Sequence, residues 1–345
     1  MDILILSALE KNERQILLQH LSNVQDIKHP QTGTDYYEGI YKGGGKTYTV
    51  ALAKTDQTNV NAGIETERAI AYYKPNHVFF VGVAGGLKDV KIGDVVIGQD
   101  VYGYERGKST SVLKGKKKKA IFEPRPKFGL SSYALEKACT SFSHSPLWKN
   151  LSASLVNTDF GEGIEVFTGT IAAGEKVDAS IDSDLHSFLK ANCGHALAIE
   201  MEGLGFLEAC RAYPQIQSLL IRGISDMVDD KHRADKKGGQ EYATKNAAAF
   251  LFAFIETIGL KILNQTRIEK LVDILCKLYP GGVKDARVWI RAGGDLSRLQ
   301  LSSSGMEQWI DAMELIENGG TDVEIGSLLE VIRKDFPKNS FLSNF

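Results

Sequence analysis

Short apolar runs of strand length alternate with longer segments of helical spacing over the first three quarters of the chain. Ile3-Leu4-Ile5-Leu6 is continuously apolar, the pattern of a strand buried on both faces. From Leu9 to Leu21 the apolar positions Ile16, Leu17, Leu18 and Leu21 fall at helical spacing, so a strand feeds at once into a helix. Tyr36 to Tyr41 and Tyr48 to Ala53 flank Gly43-Gly44-Gly45-Lys46 and read as a hairpin. Asn61 to Tyr73 is helical; Pro75 ends it before a second buried strand, Val78-Phe79-Phe80-Val81. Val95 to Ile97 gives a third strand, Ala196 to Ile199 another, and Leu219 to Ile224 a further one. Helices are expected at Ser131 to Phe142, from Glu202 to Ala212 and over Thr244 to Leu263. This alternation predicts an α/β domain, a central mixed sheet with helices outside, whose chemistry sits at strand C-termini.

The character changes near Asn264-Gln265-Thr266. Beyond it Leu271, Ile274, Leu275 and Leu278 form one helical stripe, and Ala286 to Ile290, Met306 to Glu317 and Ile325 to Ile332 give others. Gly281-Gly282, Gly293-Gly294 and Gly319-Gly320 break between them, and no strand pattern intervenes. The sequence thus predicts a first domain over 1–263 and a small all-α bundle over 267–340.

Length and composition narrow the class. The 345 residues are 43% apolar and 24% charged with a net charge of −2, ordinary for a globular protein. Nothing in that balance points to nucleic acid or a membrane surface as partner. Four scattered cysteines and seven scattered histidines show no metal spacing, so no metal or other cofactor is expected. The opening apolar run is too short for a signal segment, so a cytoplasmic protein is expected. Gly45-Lys46-Thr47 mimics the end of a phosphate-binding loop, but Ile40 stands where the motif needs glycine and a strand follows where it needs a helix. Positions 114–119 hold five lysines. Such a run is a solvated loop, or a lid that attracts phosphate.

Three strand ends carry candidate chemistry. Val81-Gly82-Val83-Ala84-Gly85-Gly86 lets backbone amides at Ala84 and Gly85 approach a ligand closely, or is only a tight turn. Glu200-Met201-Glu202 ends a strand, where a carboxylate can accept two hydrogen bonds from a vicinal diol; the plainer reading is an acidic first turn of a helix. Arg222-Gly223-Ile224-Ser225-Asp226 ends another. A buried acid there can protonate N7 of a purine leaving group, or Ser-Asp is simply a helix cap.

Taken in order, Ser7-Ala8-Leu9, Val81 to Gly86, Ala198 to Gly203 and Ile221 to Asp226 resemble the methylthioadenosine/adenosylhomocysteine nucleosidases and the nucleoside phosphorylases. The likeness spans about 1 to 263. Lys91 to Val96 and Val101 to Glu105 look closer still to a bacterial branch fused to effector-associated domains, and Ile268 to Asn339 resembles such a death-like adaptor. The resemblance implies these roles. Glu202 binds the ribose diol, Met201 packs on the sugar, and Asp226 is the general acid with Ser225 orienting it. Glu200 and Arg222 complete that wall, and backbone from Lys176 through Val177 to Asp178 lines the base pocket. Glu13 positions the attacking water, although the family's spacing points to Asn12, and Glu10 is a further candidate. Arg106, Lys108 and Arg125, beside the lysine run, are candidates for binding a 5′ phosphate. Phe80 and Val83 stand where phosphorylases carry anion-binding side chains, so water rather than phosphate is the expected nucleophile.

The function implied is hydrolytic cleavage of a purine, notably adenine, nucleotide or nucleoside, as a defence effector that depletes nucleotides. A partner with a matching effector-associated domain would recruit or switch it, and a homodimer or larger homo-oligomer is expected. Salvage of methylthioadenosine and a non-catalytic nucleotide sensor are the alternatives.

Overall fold

The structure, a computed structural model, describes residues 1–339 apart from 115–116, 179, 257–259 and 302. It separates into two compact units, Met1–Leu260 and Lys261–Phe345.

The first unit is built on a ten-stranded mixed sheet. Strand β1 (Ile3–Ser7) lies between β4 (Lys46–Lys54) and β5 (His77–Gly86), parallel to both. All five β1 residues are buried, which is why its sequence shows no alternation. On the β4 side the sheet continues antiparallel through β3 (Asp35–Gly43) to the edge strand β2 (Ser22–Lys28). Gly44 and Gly45 join β3 to β4 with φ of 57° and 76°, the two left-handed residues that a tight hairpin turn requires. On the other side come β12 (Gln217–Met227), β6 (Val95–Gly103), β10 (Val166–Ala173) and β11 (Ala198–Glu200). β11 pairs back onto β5, Ile199 opposite Gly85 and Ala198 opposite Gly86, so these five strands close on themselves. β9 (Lys127–Leu130) adds to β6.

Helices cover the sheet. α1 (Gln15–Leu18), α2 (Asn59–Tyr73), α3 (Tyr133–Ser143), α4 (Pro146–Leu155), α5 (Asp184–Asn192), α6 (Gly203–Arg211), α7 (Lys231–Lys236) and α8 (Gly239–Phe254) follow in chain order. The helix expected over 9–21 is instead a five-residue π-helix, Glu10–Arg14, followed by the short α1. The lysine run is not a loop. β7 (Gly107–Lys114) and β8 (Lys117–Pro124) pair antiparallel through it, drawn into register by β-branched and aromatic residues such as Thr110 opposite Ile121 and Ser109 opposite Phe122. Gly115 and Lys116, within the run, lie outside the described residues, as do the side chains of 112–117 and 119.

In the second unit α9 (Leu260–Leu278), α10 (Val288–Arg291), α11 (Gly305–Glu317) and α12 (Ile325–Asp335) surround a core that includes Leu275, Trp289, Trp309 and Leu328. Residues 264–266, where a break in character is expected, run inside α9 rather than through a linker. Among the described residues no helix is long and apolar enough to cross a membrane.

Candidate active site

A cleft enclosing about 610 Å³ up to its open mouth lies at the C-terminal ends of β1, β5, β11 and β12. Most of the residues singled out from sequence meet there: Glu13, Ala84 and Gly85, Lys176 to Asp178, Glu200 to Glu202, and Ser225 with Asp226.

Asp226 owes its aim to a β-bulge. The register between β12 and β5 shifts between Ile224 and Asp226, so Ser225 is the extra residue and Asp226 comes opposite Gly85. Both are buried. Ser225 Oγ donates to Asp226 Oδ2 at 2.7 Å, with Ala84 O as its other acceptor at 3.3 Å. Ser225 and Asp226 are therefore part of a strand here.

Glu13 reaches the opposite wall through the π-helix. Arg14 N bonds Leu9 O at 3.0 Å, a five-residue step, so the turn holds one residue more than an α-turn. Glu13 Oε2 accepts from the amides of Ala8 (2.7 Å) and Leu9 (2.8 Å), and its Oε1 from Val83 (3.0 Å). Burial raises its carboxyl above the ordinary range, against the pull of Arg222 and these amides. Glu10 is held by Arg14 and Gln15, and Asn12 by Gln240; neither lines the cleft.

Glu200 and Glu202 divide their work. Glu200 accepts from the amides of Glu202 (3.0 Å) and Gly203 (2.8 Å) and from Arg222. Its lone pairs are largely committed to the start of α6, so it positions the wall. Glu202 has fewer donors, Thr58 N at 3.3 Å and Arg222 Nη2 at 3.2 Å. Burial pushes its carboxyl up to about 8, with Glu200 and Glu13 adding repulsion that Arg222 offsets in part. Arg222 is wholly buried and stands behind the cleft, its guanidinium carbon 4.4 Å from the Phe80 ring centre. Phe80 thus supports the cation that holds the carboxylates.

At the Lys176 to Asp178 segment Tyr104 OH donates to Lys176 O at 3.4 Å, while the Asp178 carboxylate is taken by Ser183 Oγ (2.7 Å) and His186 Nδ1 (3.3 Å). Arg106, Lys108 and Arg125 are exposed on the β7–β8 stem and are not among the described residues lining the cleft. The stem springs from Glu105, which pairs with Lys176 at 3.5 Å, next to the segment expected to line the base pocket.

Two contributors gain a specific role only from the fold. Thr58, which presents its amide to Glu202, has φ 92° and ψ 148°, a region nearly reserved for glycine and costly for a β-branched residue. Gly82 leaves the space that the charged cluster fills. A Cβ there would lie 2.2 Å from Arg222 Nη1 and 2.6 Å from Glu13 Oε1. Gly82→Ala is therefore expected to push these two groups apart and to lower turnover about 10-fold or more, the usual cost of a misplaced charge in a preorganised site. Equal kcat/KM in the folded variant would show that the cluster absorbs a methyl group.

Residues 2–256 match the phosphorylase superfamily and residues 261–345 match effector-associated domain 1. The ATP nucleosidase Cap17 of Escherichia coli is 31% identical over 206 residues, which are 55% of this chain and 38% of that protein. This chain thus spans well under half of that relative's length. The 5′-methylthioadenosine/S-adenosylhomocysteine nucleosidase of Bacillus subtilis is 24% identical over 270 residues, 75% of this chain and 100% of the relative. Among solved structures, the corresponding nucleosidase of S. pneumoniae with a transition-state inhibitor superposes with a TM-score of 0.57 at 20% identity, over 75% of this chain and 100% of the other; at that identity the likeness concerns the fold. With half of the chain and more inside the match, and with the sheet and cleft as described, this protein belongs to the phosphorylase superfamily and carries an effector-associated domain after it in sequence.

Proposed function

We propose that the cleft hydrolyses the N-glycosidic bond of an adenine nucleotide or nucleoside. One observation carries the reading: a buried acid on a bulge, Asp226, and two further buried carboxylates, Glu13 and Glu202, converge on one cleft. In the proposed reaction Asp226 protonates N7 as the C1′–N9 bond breaks and its electron pair goes to the base. Glu202 accepts hydrogen bonds from the ribose 2′ and 3′ hydroxyls. Glu13 orients a water whose oxygen bonds to C1′, and takes its proton. The products are adenine and the free sugar or sugar phosphate. Stabilising the leaving base and the oxocarbenium-like sugar together supplies the rate.

Water is preferred over phosphate because Val83 and Phe80 offer an anion no side-chain donor. A relative named an ATP nucleosidase favours a triphosphate, with Arg106, Lys108 and Arg125 as its cations; the methylthioadenosine/adenosylhomocysteine relatives, matched over their full length, favour salvage. The second unit would act as an adaptor that a protein with a like domain recruits, and nucleotide depletion in defence is the role we infer.

One experiment tests these points together. ATP, adenosine and methylthioadenosine are incubated with the full chain in phosphate-free buffer, and adenine is measured. Adenine release without phosphate is expected, with ATP preferred and its KM rising with salt while that of adenosine stays flat, because exposed cations lose strength as salt screens them. A strict need for phosphate overturns hydrolysis. A preference for methylthioadenosine at every salt concentration turns the reading to salvage, and no adenine from any of them leaves a binding protein.

A further inference from the structure

The second unit divides its charge along the chain. Between 261 and 298 eight lysines and arginines stand against four acids; from 299 to 345 eight acids stand against three basic residues. The fold gathers part of the acidic half on one helix face. In α11 Gln308, Trp309, Ala312 and Met313 are buried. The opposite face carries Met306, Glu307, Ile310, Asp311 and Glu314, neighbours at spacings of three and four. Met306 and Ile310 are 53% and 39% exposed, and Gly305–Glu317 contains no lysine or arginine. Glu307 has a local use, since it completes the capping box with Ser304. Glu314 has none of that kind: it lies in the last turn, where the helix dipole disfavours an anion and no basic residue follows. Two apolar side chains ringed by acids are thus held toward solvent at a cost to the helix.

A complementary patch lies on the same unit. Around α10 Val288 and Trp289 are buried, while Ile290 is 41% exposed between Arg287 and Arg291, both exposed. Ala286 and Arg287 have φ of 46° and 54°, so the patch is displayed by backbone that non-glycine residues rarely adopt. Arg291 is paired with Asp335 at 2.6 Å, whereas Arg287 makes no ion pair among the described residues.

We propose that the Met306–Ile310–Glu314 face of one copy docks on the Arg287–Ile290–Arg291 patch of a second copy, head to tail. Opposite charge sets register and encounter rate, and the apolar side chains at the centre supply the buried contact. Because the two surfaces differ, every assembly of joined copies keeps one of each free at its ends, and association is open-ended. The inference rests on the adaptor reading of this unit and names its partner; it does not depend on the catalytic reading.

Sedimentation velocity of the full chain tests it. The mass of the wild type is expected to rise with concentration, from whatever species the first unit sets, and to fall back at about 0.5 M salt as the charges are screened. Asp311→Lys with Glu314→Lys removes one surface and Arg287→Glu the other; each is expected to abolish the growth while melting like the wild type. Mixed in equal amounts, the two variants still hold one intact pair of surfaces, and the mass is expected to rise above that of either variant alone. Variants that grow as the wild type does, or a mixture that stays at the variants' own mass, overturn the proposal. A wild type that keeps one mass yet captures a separate protein bearing a like domain overturns it too, while sparing the adaptor reading.

Discussion

Asp226→Asn is expected to lower adenine release by about 10²-fold or more while the protein folds normally, the scale of a lost general acid. Asparagine has the shape of aspartate and can still accept the Ser225 hydroxyl, so the bulge that aims position 226 survives the change. What it lacks is a proton to give. Adenine leaves poorly as an anion, and without protonation at N7 the negative charge stays on the base as C1′–N9 opens. The loss should therefore fall on kcat, with KM little changed, since the interaction belongs to the transition state. A nucleoside whose base is already a good leaving group makes the sharper control: its cleavage should suffer much less. Ser225→Ala, which removes only the orienting hydroxyl, should cost less than Asp226→Asn on adenosine. A folded Asp226→Asn protein with full activity would remove Asp226 from the reaction, and equal losses on good and poor leaving groups would give it a structural task.

The strands that build this site were open to reading because burial on both faces leaves continuous apolar runs. Ile3 to Leu6, Val78 to Val81 and Leu219 to Ile224 all lie where the pattern places them, and the double-glycine turn at 44–45 is equally plain. Strand β2, sequence Ser-Asn-Val-Gln-Asp-Ile-Lys, is missed for the converse reason: an exposed edge strand needs no apolar face. The π-helix at Glu10–Arg14 depends on five-residue backbone bonds, from Arg14 to Leu9 and from Gln15 to Glu10, and side-chain spacing does not distinguish it from a plain helix, which is why Asn12 and Glu10 remain beside Glu13 as candidates in sequence. Gly82 and Thr58 belong to a different class. The first matters through atoms of Arg222 and Glu13, far away in the chain, and the second through a backbone angle that its residue type argues against. Glu200 shows the limit in the other direction: its motif is legible, yet only the amides of Glu202 and Gly203 reveal that its carboxylate is already spent on the helix start.

Glu202→Gln is expected to have two effects of opposite sign. Turnover on ribosides should fall about 10²-fold, because a carboxylate that accepts two hydroxyls makes charge-assisted bonds worth about 1.5–3 kcal/mol each and an amide replaces them poorly. A 2′,3′-dideoxy substrate, which has no diol to hold, should lose much less; equal damage on both would mean that position 202 serves the fold. Stability should move the other way. In the empty cleft Glu13, Glu200 and Glu202 share one guanidinium, and Glu202 has the fewest hydrogen-bond donors of the three. Burial, with its carboxylate neighbours, lifts its carboxyl from the ordinary 4.5 to about 8. Folded protein therefore keeps a proton that the unfolded chain releases, and stability is lost as pH rises through that window. Glutamine has no proton to lose. Its melting temperature should match the wild type near pH 5 and exceed it near pH 9, roughly the two sides of the window. Substrate should narrow the gap at high pH, since a diol donating two hydrogens gives the ionised Glu202 the partners that the empty cleft withholds, and ligand that binds only the folded state stabilises it. Parallel melting curves for the two proteins across the whole range would show that the proton sits elsewhere in the cluster.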